Sequence, residues 1–233
     1  MKFSEVLVMG TLVKRYKRFL ADVDLDGGGR ITAVCPNTGS MKTCATPGWR
    51  AGLSRSDRAT RKYAHTWEIV HNGAGWIGIN TARTNGIAEE AIAAGRVPEL
   101  AGYGEILREQ KYGQNSRIDL LLRKAGQDCY VEVKNVTLRT DDGALAFPDA
   151  VTERGRKHLE ELSRMVQAGH RAVMMYVAPR GDGDRFRIAA EIDPEYAVAF
   201  RAARRAGVEA IAYVAGVTPQ GIVLGERLPI LAA

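Results

Sequence analysis

The segment SRIDLLLRKAGQDCYVEVKNVTL, residues 116 to 138, constrains the fold of this chain most strongly. Its two apolar runs predict two neighbouring β-strands. Three charged side chains nevertheless stand in or beside these runs, namely Asp119, Glu132 and Lys134. Strands of an α/β sheet are usually buried on both faces, so each ion needs a partner, a metal ion or a substrate that offsets the cost of leaving water.

The sequence around this segment predicts an α/β domain over residues 81–233. NGIAEEAIAAG has the apolar stripe and the acidic early turn of an amphipathic helix that ends at Gly95. Three strands follow, and then helix, strand, helix and strand, which gives the order α-β-β-β-α-β-α-β. This order predicts a sheet that begins as a meander and continues through right-handed helical crossovers.

Residues 1–80 have a different pattern of apolar and turn-forming residues. Short apolar bursts such as FLADVDL and AHTWEIV alternate with turn sequences such as DGGGR and PNTGS, which predicts short strands and turns. Strands at this regular spacing predict a small antiparallel β-barrel, with the five-stranded oligonucleotide-binding (OB) type among the candidates. We place the domain boundary near Thr81.

Composition narrows the classes of function. The net charge of +6 favours polyanionic partners without establishing them. The three cysteines form no CxxC motif, so we expect reduced thiols in a cytoplasmic protein and no structural zinc. No segment reaches the roughly 18 apolar residues of a membrane helix, and we expect no membrane partner. We also expect no small organic cofactor, because phosphate-binding glycine loops and nucleophile elbows are missing from the sequence.

The charged strands predict a metal site. Period-2 alternation places Glu132 and Lys134 on the same face of their strand, and Asp119 lies beside Glu132 if the two strands pair. Two neighbouring carboxylates repel each other unless a proton or a cation lies between them. A hard divalent ion, Mg²⁺ or Mn²⁺, fits oxygen ligands of this kind. The acidic helix offers Glu89 or Glu90 as a further ligand, and we choose Glu90.

Such a site suits hydrolysis of a phosphodiester. Carboxylates hold the metal, the metal neutralises phosphate charge, and a lysine orients the nucleophile or stabilises the transition state. Asp119, Glu132 and Lys134 resemble the PD-(D/E)xK motif of restriction-endonuclease-like nucleases, with Ile118 in place of the proline. The alternative is an ordinary ion network, because short charged motifs recur by chance. Asp149 in the later FPD sequence is interpreted as a helix cap.

Basic residues indicate where nucleic acid could bind. VKRYKRF places four cations around Tyr16 and Phe19, which suits phosphate contact and base stacking. The alternative is a solvated charged strand with Phe19 and Trp67 in the barrel core. On the second helix, Arg154 and His158 could meet a phosphate or the carboxylates, or pair with Glu153, Glu161 or the sheet edge. The predicted nucleic-acid-binding residues are Lys14, Arg15, Tyr16, Lys17, Arg18, Arg61, Lys62, Arg117, Arg154 and His158.

Several longer stretches resemble the sugar fermentation stimulation protein A family. They are KRYKRFLADV, CPNTGSM, RKYAHTWE, ELAGY, YGQNSRIDLLL, VEVKNVTL and FPDAVTERGRKHLEEL. The resemblance implies an N-terminal OB-type barrel, a C-terminal nuclease-like domain, DNA binding without marked sequence preference, and a regulatory link to sugar (maltose) metabolism. The family's nuclease-like pattern falls on Asp119, Glu132 and Lys134.

Two hypotheses remain open at this point. One is a metal-dependent nuclease that acts on DNA or RNA, and the other is a non-cleaving DNA-binding regulatory protein. The sequence leaves the oligomeric state open.

Overall fold

A computed structural model describes residues 1–113 and 116–232 of the chain. Gln114 and Asn115, which belong to the YGQNSRIDLLL stretch, and Ala233 lie outside the described residues. The first part of the fold is a barrel. Its strands are β1 (Val8–Tyr16), β2 (Leu20–Leu25), β3 (Arg30–Val34), β4 (Arg50–Arg55), β5 (His65–His71) and β6 (Trp76–Gly78).

The barrel closes through five strands in the order expected of an OB fold. β1 pairs with both β2 and β4, and β3 closes the ring by a parallel pairing with β5. Alternate side chains point inward, and Leu12, Val23 and Trp67 pack in the barrel core. Phe19 does not, since 51% of its surface is exposed. The alternative that placed Phe19 in the core is therefore wrong, whereas Trp67 lies there.

The second part is an α/β unit. Its helices are α1 (Thr84–Ala93), α2 (Glu153–Gln167) and α3 (Pro194–Arg205). Its strands are β7 (Glu105–Tyr112), β8 (Ser116–Lys124), β9 (Gln127–Asn135), β10 (Leu138–Arg139), β11 (Leu145–Phe147), β12 (Arg171–Ala178), β13 (Phe186–Ile188), β14 (Glu209–Thr218) and β15 (Gly221–Arg227). Short 3₁₀ turns lie at Thr81–Arg83 and Pro98–Leu100.

The main sheet has the strand order β15-β14-β12-β9-β8-β7. β7, β8 and β9 form an antiparallel meander, and β9, β12 and β14 are parallel with α2 and α3 as the crossovers. α1 packs on one face of the sheet, and α2 and α3 pack on the other. The predicted order is thus confirmed. β10, β11 and β13 form an additional three-stranded sheet that the sequence pattern did not reveal, because two or three residues are too few to show a period.

Buried polar contacts join the two parts. Arg180, which is buried, forms an ion pair with Asp182 at 2.6 Å and donates to Thr43 Oγ1 of the barrel at 3.1 Å. Asn72 of the barrel donates to Asp182 at 2.8 Å. At the chain start, the Phe3 amide donates to the Gln220 carbonyl, so these first residues pack on the α/β unit.

Two further expectations concern the cysteines and the membrane. Cys35, Cys44 and Cys129 are buried free thiols, as predicted. Over residues 1–113 and 116–232, no helix combines the length and the apolar character that a bilayer crossing requires.

Candidate active site

The candidate site lies where β8 and β9 separate. Their pairing ends at Leu120 with Val131, and Asp119 and Glu132 are the next residues along. Asp119 Oδ2 accepts the Val133 amide at 2.8 Å, so a side-chain carboxylate replaces the main-chain acceptor where the ladder stops. Val133 is the residue between Glu132 and Lys134. This contact brings the Asp119 carboxylate against the Glu-x-Lys sequence, as the sequence predicts.

The start of α1 holds the other side of Asp119. Asn85 Nδ2 donates to Asp119 Oδ1 at 2.8 Å, and the neighbouring Thr84 hydroxyl lies 3.0 Å from Asn135 Oδ1 at the end of β9. Burial, together with the charge of Glu132, raises the pKa of Asp119 to about 6. The environment of the Asp119 carboxylate therefore disfavours its ionised form.

Glu132 is only 2% exposed and is hydrogen-bonded through one oxygen. Its Oε1 lies 2.6 Å from Lys134 Nζ and in hydrogen-bonding contact with His158 Nδ1. Burial alone would raise the pKa of Glu132, but the hydrogen bond from His158 and the charge of Lys134 outweigh it, and the pKa is lowered. Its Oε2 is buried without a hydrogen-bond partner, a costly state for a carboxylate oxygen.

His158 is a positioning group for Glu132. Arg154 Nε donates to His158 Nε2 at 3.3 Å, and a guanidinium cannot accept a hydrogen bond. Nε2 of the imidazole thus faces Arg154, and Nδ1 faces Glu132 Oε1. Of the alternatives that the sequence left open, His158 meets the carboxylates, and it is buried away from solvent. Arg154 remains exposed beside it.

These residues fit a hard divalent ion. Mg²⁺ in proteins is usually held by one or two carboxylates, with waters or substrate oxygens completing the shell. Asp119 and Glu132 supply two carboxylates, and Glu132 Oε2 has an unused, buried acceptor. Within residues 1–113 and 116–232, no three histidine, cysteine or acidic side chains converge as a ready-made metal site. The donor set thus suits a hydrated ion and does not suit an all-protein cage.

Glu90 is not part of this arrangement, and its predicted place at the site is wrong. Its carboxylate pairs with the Met1 nitrogen at 2.8 Å and with Arg96 at 3.2 Å. The reason is rotational, because Asn85 and Glu90 lie about 140° apart around the helix axis. Glu89, the other candidate, pairs with Arg108 on β7. The α1 residue that reaches Asp119 is Asn85, which sequence reasoning missed.

A cleft of about 250 Å³ opens beside the site, between the barrel and the α/β unit. Arg18 and the Asn37–Gly39 loop line its barrel side, and Asn135, which follows Lys134, lines the other side with the 146–152 loop. Sequence reasoning treated PNTGS only as a turn. A Cβ on Gly39 would clash with the Asp149 carboxylate, so glycine permits the close approach of the two walls.

Asp149 is not a helix cap, contrary to the sequence interpretation. Thr152 caps α2, because its hydroxyl accepts the Gly155 amide at 3.0 Å. The Asp149 carboxylate instead lies 3.4 Å from the Ser40 hydroxyl and from the Met41 amide, across the cleft.

Some of the predicted nucleic-acid-binding side chains are hydrogen-bonded within the protein, and others are exposed to solvent. Arg15 donates to the carbonyls of Arg18, Asn37 and Gly39 at 2.7 to 3.0 Å, so its guanidinium holds the cleft loop and is not presented to a phosphate. The half-buried Tyr16 directs its hydroxyl to Asp22 at 3.0 Å. The exposed cations are Lys14, Lys17, Arg18, Arg61, Lys62, Arg117 and Arg154.

The two parts of the chain match two known domain families. A family model described as "SfsA N-terminal OB domain" matches residues 13–79, and one described as "Sugar fermentation stimulation protein RE domain" matches residues 82–221. The sugar fermentation stimulation protein homolog of Agrobacterium fabrum is 53% identical over 95% of this chain and 93% of its own. The chain belongs to the sugar fermentation stimulation protein family. The homolog of Pelobacter propionicus is 54% identical over 97% of each chain.

A solved structure extends the family likeness to the whole fold. The structure of Pyrococcus furiosus SfsA in complex with Ca²⁺ superposes with a TM-score of 0.89 and 25% identity, covering 100% of this chain and 98% of that one. The predicted family is confirmed, and so is the fold class of an OB barrel followed by a restriction-endonuclease-like domain.

Proposed function

We propose that the chain is a divalent-metal-dependent hydrolase of nucleic-acid phosphodiesters. One observation carries the proposal. The Asp119 carboxylate accepts a hydrogen bond from the amide of Val133, the residue between Glu132 and Lys134. This contact lies where β8 and β9 separate, beside the interdomain cleft. Two carboxylates and an ammonium group are thereby held together, and Asn135, the residue after Lys134, lines the cleft.

Each residue has a distinct role. Asp119 and Glu132 would hold Mg²⁺ or Mn²⁺, and such an ion lowers the pKa of a water and neutralises phosphate charge. Lys134 supplies an ammonium that positions the nucleophile or stabilises the negative charge of the transition state. Asn85 and His158 fix the orientation of the two carboxylates through their hydrogen bonds.

The solved relative supports a hard cation in this family. The Pyrococcus furiosus protein is described as a complex with Ca²⁺, an ion that takes oxygen ligands as Mg²⁺ does. By analogy, the two carboxylates are the natural oxygen donors of the present chain. A cytoplasmic location is part of the proposal, in line with the three free thiols.

Nucleic acid is the substrate class that the barrel supports. Lys14, Arg61 and Lys62 are exposed on an OB-type barrel, and the chain carries a net charge of +6. OB barrels with such cations bind the phosphate backbone, and the binding weakens as salt rises.

A cleavage assay tests the proposal. Purified protein is incubated with labelled DNA and RNA in Mg²⁺, in Mn²⁺ or in a chelator, beside the variants Glu132→Ala and Lys134→Ala. We expect cleavage by the wild type with a metal, and none with the chelator or from either variant. Cleavage that survives both substitutions would show that another group is responsible. Salt-sensitive binding without metal-dependent cleavage would support a non-cleaving DNA-binding protein instead.

A further inference from the structure

The tip of the β1–β2 hairpin has basic residues at positions whose backbone conformation usually favours glycine. Three residues, Lys17 to Phe19, connect the paired residues Tyr16 and Leu20. Lys17 and Arg18 adopt φ values of +50° and +63°, the left-handed region that glycine or asparagine usually occupies. Each such non-glycine residue costs of order 1 kcal/mol or more. Two basic side chains therefore occupy positions that the backbone alone disfavours.

The tip is nevertheless held in place by hydrogen bonds. The Arg18 guanidinium donates twice to the Thr38 carbonyl, at 2.7 and 3.0 Å. The Phe19 carbonyl accepts the Cys35 amide at 2.8 Å. The Phe19 main chain is thus bonded to β3's neighbour Cys35, while its ring is 51% exposed. A rigid backbone that presents an aromatic ring to solvent loses little entropy when the ring is covered.

The tip stands at the entrance of the interdomain cleft. Arg18 lines that cleft together with Thr38, and Asn135 beside Lys134 lines the opposite side. The hairpin tip and the β4–β5 loop lie at the same end of the barrel. Leu20 after the tip pairs with Val34 of β3, and Val34 pairs with Thr66, which follows the β4–β5 loop. The cations of that loop, Arg61 and Lys62, therefore flank the same end of the barrel.

Other aromatic residues of the basic stretches VKRYKRF and RKYAHTW are less available. Tyr63 is half-buried, with the Lys62 ammonium 5.5 Å from its ring centroid. Trp67 is fully buried in the barrel core. Tyr16 is half-buried, and its hydroxyl is bonded to Asp22. Among the phenylalanine, tyrosine and tryptophan side chains of residues 1–113 and 116–232, only that of Phe19 is exposed.

We propose that Phe19 stacks on an unpaired base and that the preferred ligand is therefore single-stranded nucleic acid or a strand that leaves a duplex at the cleft entrance. The inference rests on the proposed nucleic-acid function and adds the form of the ligand. The bases of an intact duplex have their faces covered by their neighbours, whereas an unpaired base offers a π-face to an exposed ring. Lys17, next to Arg18 on the tip, supplies a phosphate contact beside that base.

Equilibrium binding, measured in a chelator, tests this ligand form. A labelled single-stranded oligonucleotide and a blunt duplex of the same sequence are titrated with wild type, Phe19→Ala, Phe19→Trp and Lys17→Ala. Val198→Ala, which shortens an exposed apolar side chain on α3, is the matched control. We expect Phe19→Ala to weaken single-strand binding about 5- to 160-fold, the range for loss of one stacked base. Duplex binding changes less than about twofold.

The salt dependence separates stacking from charge. Phe19→Ala should leave the slope of log K against log[salt] unchanged, whereas Lys17→Ala should reduce its magnitude by about 0.7. Phe19→Trp should bind the single strand as the wild type does and show additional quenching of tryptophan emission. This variant keeps the test informative if Phe19→Ala folds poorly, which a thermal melt detects.

Three results would overturn the inference. They are equal binding by Phe19→Ala and Val198→Ala, an equal loss on single strand and duplex, and a changed salt slope in Phe19→Ala. Wild-type protein that binds neither ligand would overturn the proposed nucleic-acid function itself. Binding with the expected Phe19 dependence supports the inference even if no cleavage is observed.

Discussion

Glu68 and Glu132 are two buried glutamates with opposite local chemistry, at 1% and 2% exposure. Glu68 on β5 accepts two hydrogen bonds from Arg83, at 2.6 and 2.8 Å. It also accepts from the Ser54 hydroxyl at 2.6 Å and from the Asn80 amide at 3.0 Å, so both oxygens are satisfied. Glu132 uses one oxygen for Lys134 and His158 and leaves the other without a partner.

The proposed function assigns different roles to these two carboxylates. Glu68 has a full set of donors and joins the barrel to Arg83, just before α1. It has no free acceptor for a ligand. A buried carboxylate with an unused oxygen keeps that capacity and bears the cost of an unsatisfied polar atom. Active sites are where such costs are retained.

Replacing Glu132 tests the functional half of this comparison and has the largest expected effect. Glu132→Gln keeps an acceptor for Lys134 but removes the charge that a divalent ion needs. A metal ion is worth several kcal/mol of transition-state stabilisation, so we expect cleavage to fall about 10²- to 10⁴-fold. Single-turnover kinetics in Mn²⁺ measure this fall. A rate within about threefold of the wild type would remove Glu132 from the mechanism.

Replacing Glu68 tests the structural half. Glu68→Gln leaves the Arg83 guanidinium, which is 23% exposed, without its charged partner. Breaking a buried pair costs about 3–5 kcal/mol, and we expect a loss of unfolding free energy toward the lower end because Arg83 keeps some solvent contact. Urea denaturation measures the loss, and the cleavage rate per folded molecule should not change. Unaltered stability would contradict the structural role of Glu68.

Asp119→Asn sharpens the comparison, because here the functional group opposes stability. The pKa of Asp119 is raised from 3.8 to about 6, so the folded protein binds this proton more tightly than the unfolded chain does. Its ionised form therefore destabilises the fold above pH 6, and the cost shrinks as pH falls toward 3.8. In chelator, we expect Asp119→Asn to raise the unfolding free energy by about 1–3 kcal/mol at about pH 8 and by almost nothing at about pH 4. Equal changes at both pH values would contradict this prediction.

Replacing Lys14 has the smallest expected effect. Lys14 is an exposed cation, whereas the neighbouring Arg15 is hydrogen-bonded to main-chain carbonyls. The Lys14 ammonium lies 3.9 Å from Asp22 and is 62% exposed, so Lys14→Ala should change stability by less than about 0.5 kcal/mol. It should reduce the salt slope of nucleic-acid binding by about 0.7 to 0.9. Arg15→Ala is the comparison variant, because it releases the Asn37 and Gly39 carbonyls and should lower thermal stability. A larger melting-temperature loss in Lys14→Ala would reverse the assignment.

Much of the fold could be predicted from periodicity. Alternating apolar residues and glycine-rich turns predicted the barrel, and the helix and strand patterns predicted the crossover order of the main sheet. The charges of Asp119, Glu132 and Lys134 were predicted to converge because a pair of adjacent strands fixes which side chains are neighbours.

What could not be predicted depends on orientations that no sequence period sets. The choice between Asn85 and Glu90 rests on how α1 is rotated against the sheet. Arg15 was assigned to nucleic acid because a basic stretch does not show which cations find carbonyl acceptors. The cleft depends on the joining of two domains, and its two walls were interpreted from the sequence as a turn (PNTGS) and as a helix cap (Asp149).

Calorimetric titration with Mn²⁺ near neutral pH tests the central claim most directly, because it measures whether the half-satisfied carboxylate is a cation site. We predict that the wild type and Glu68→Gln bind Mn²⁺ with similar affinity, and that Glu132→Gln binds at least about tenfold more weakly. Binding to Glu132→Gln that matches the wild type would contradict the account.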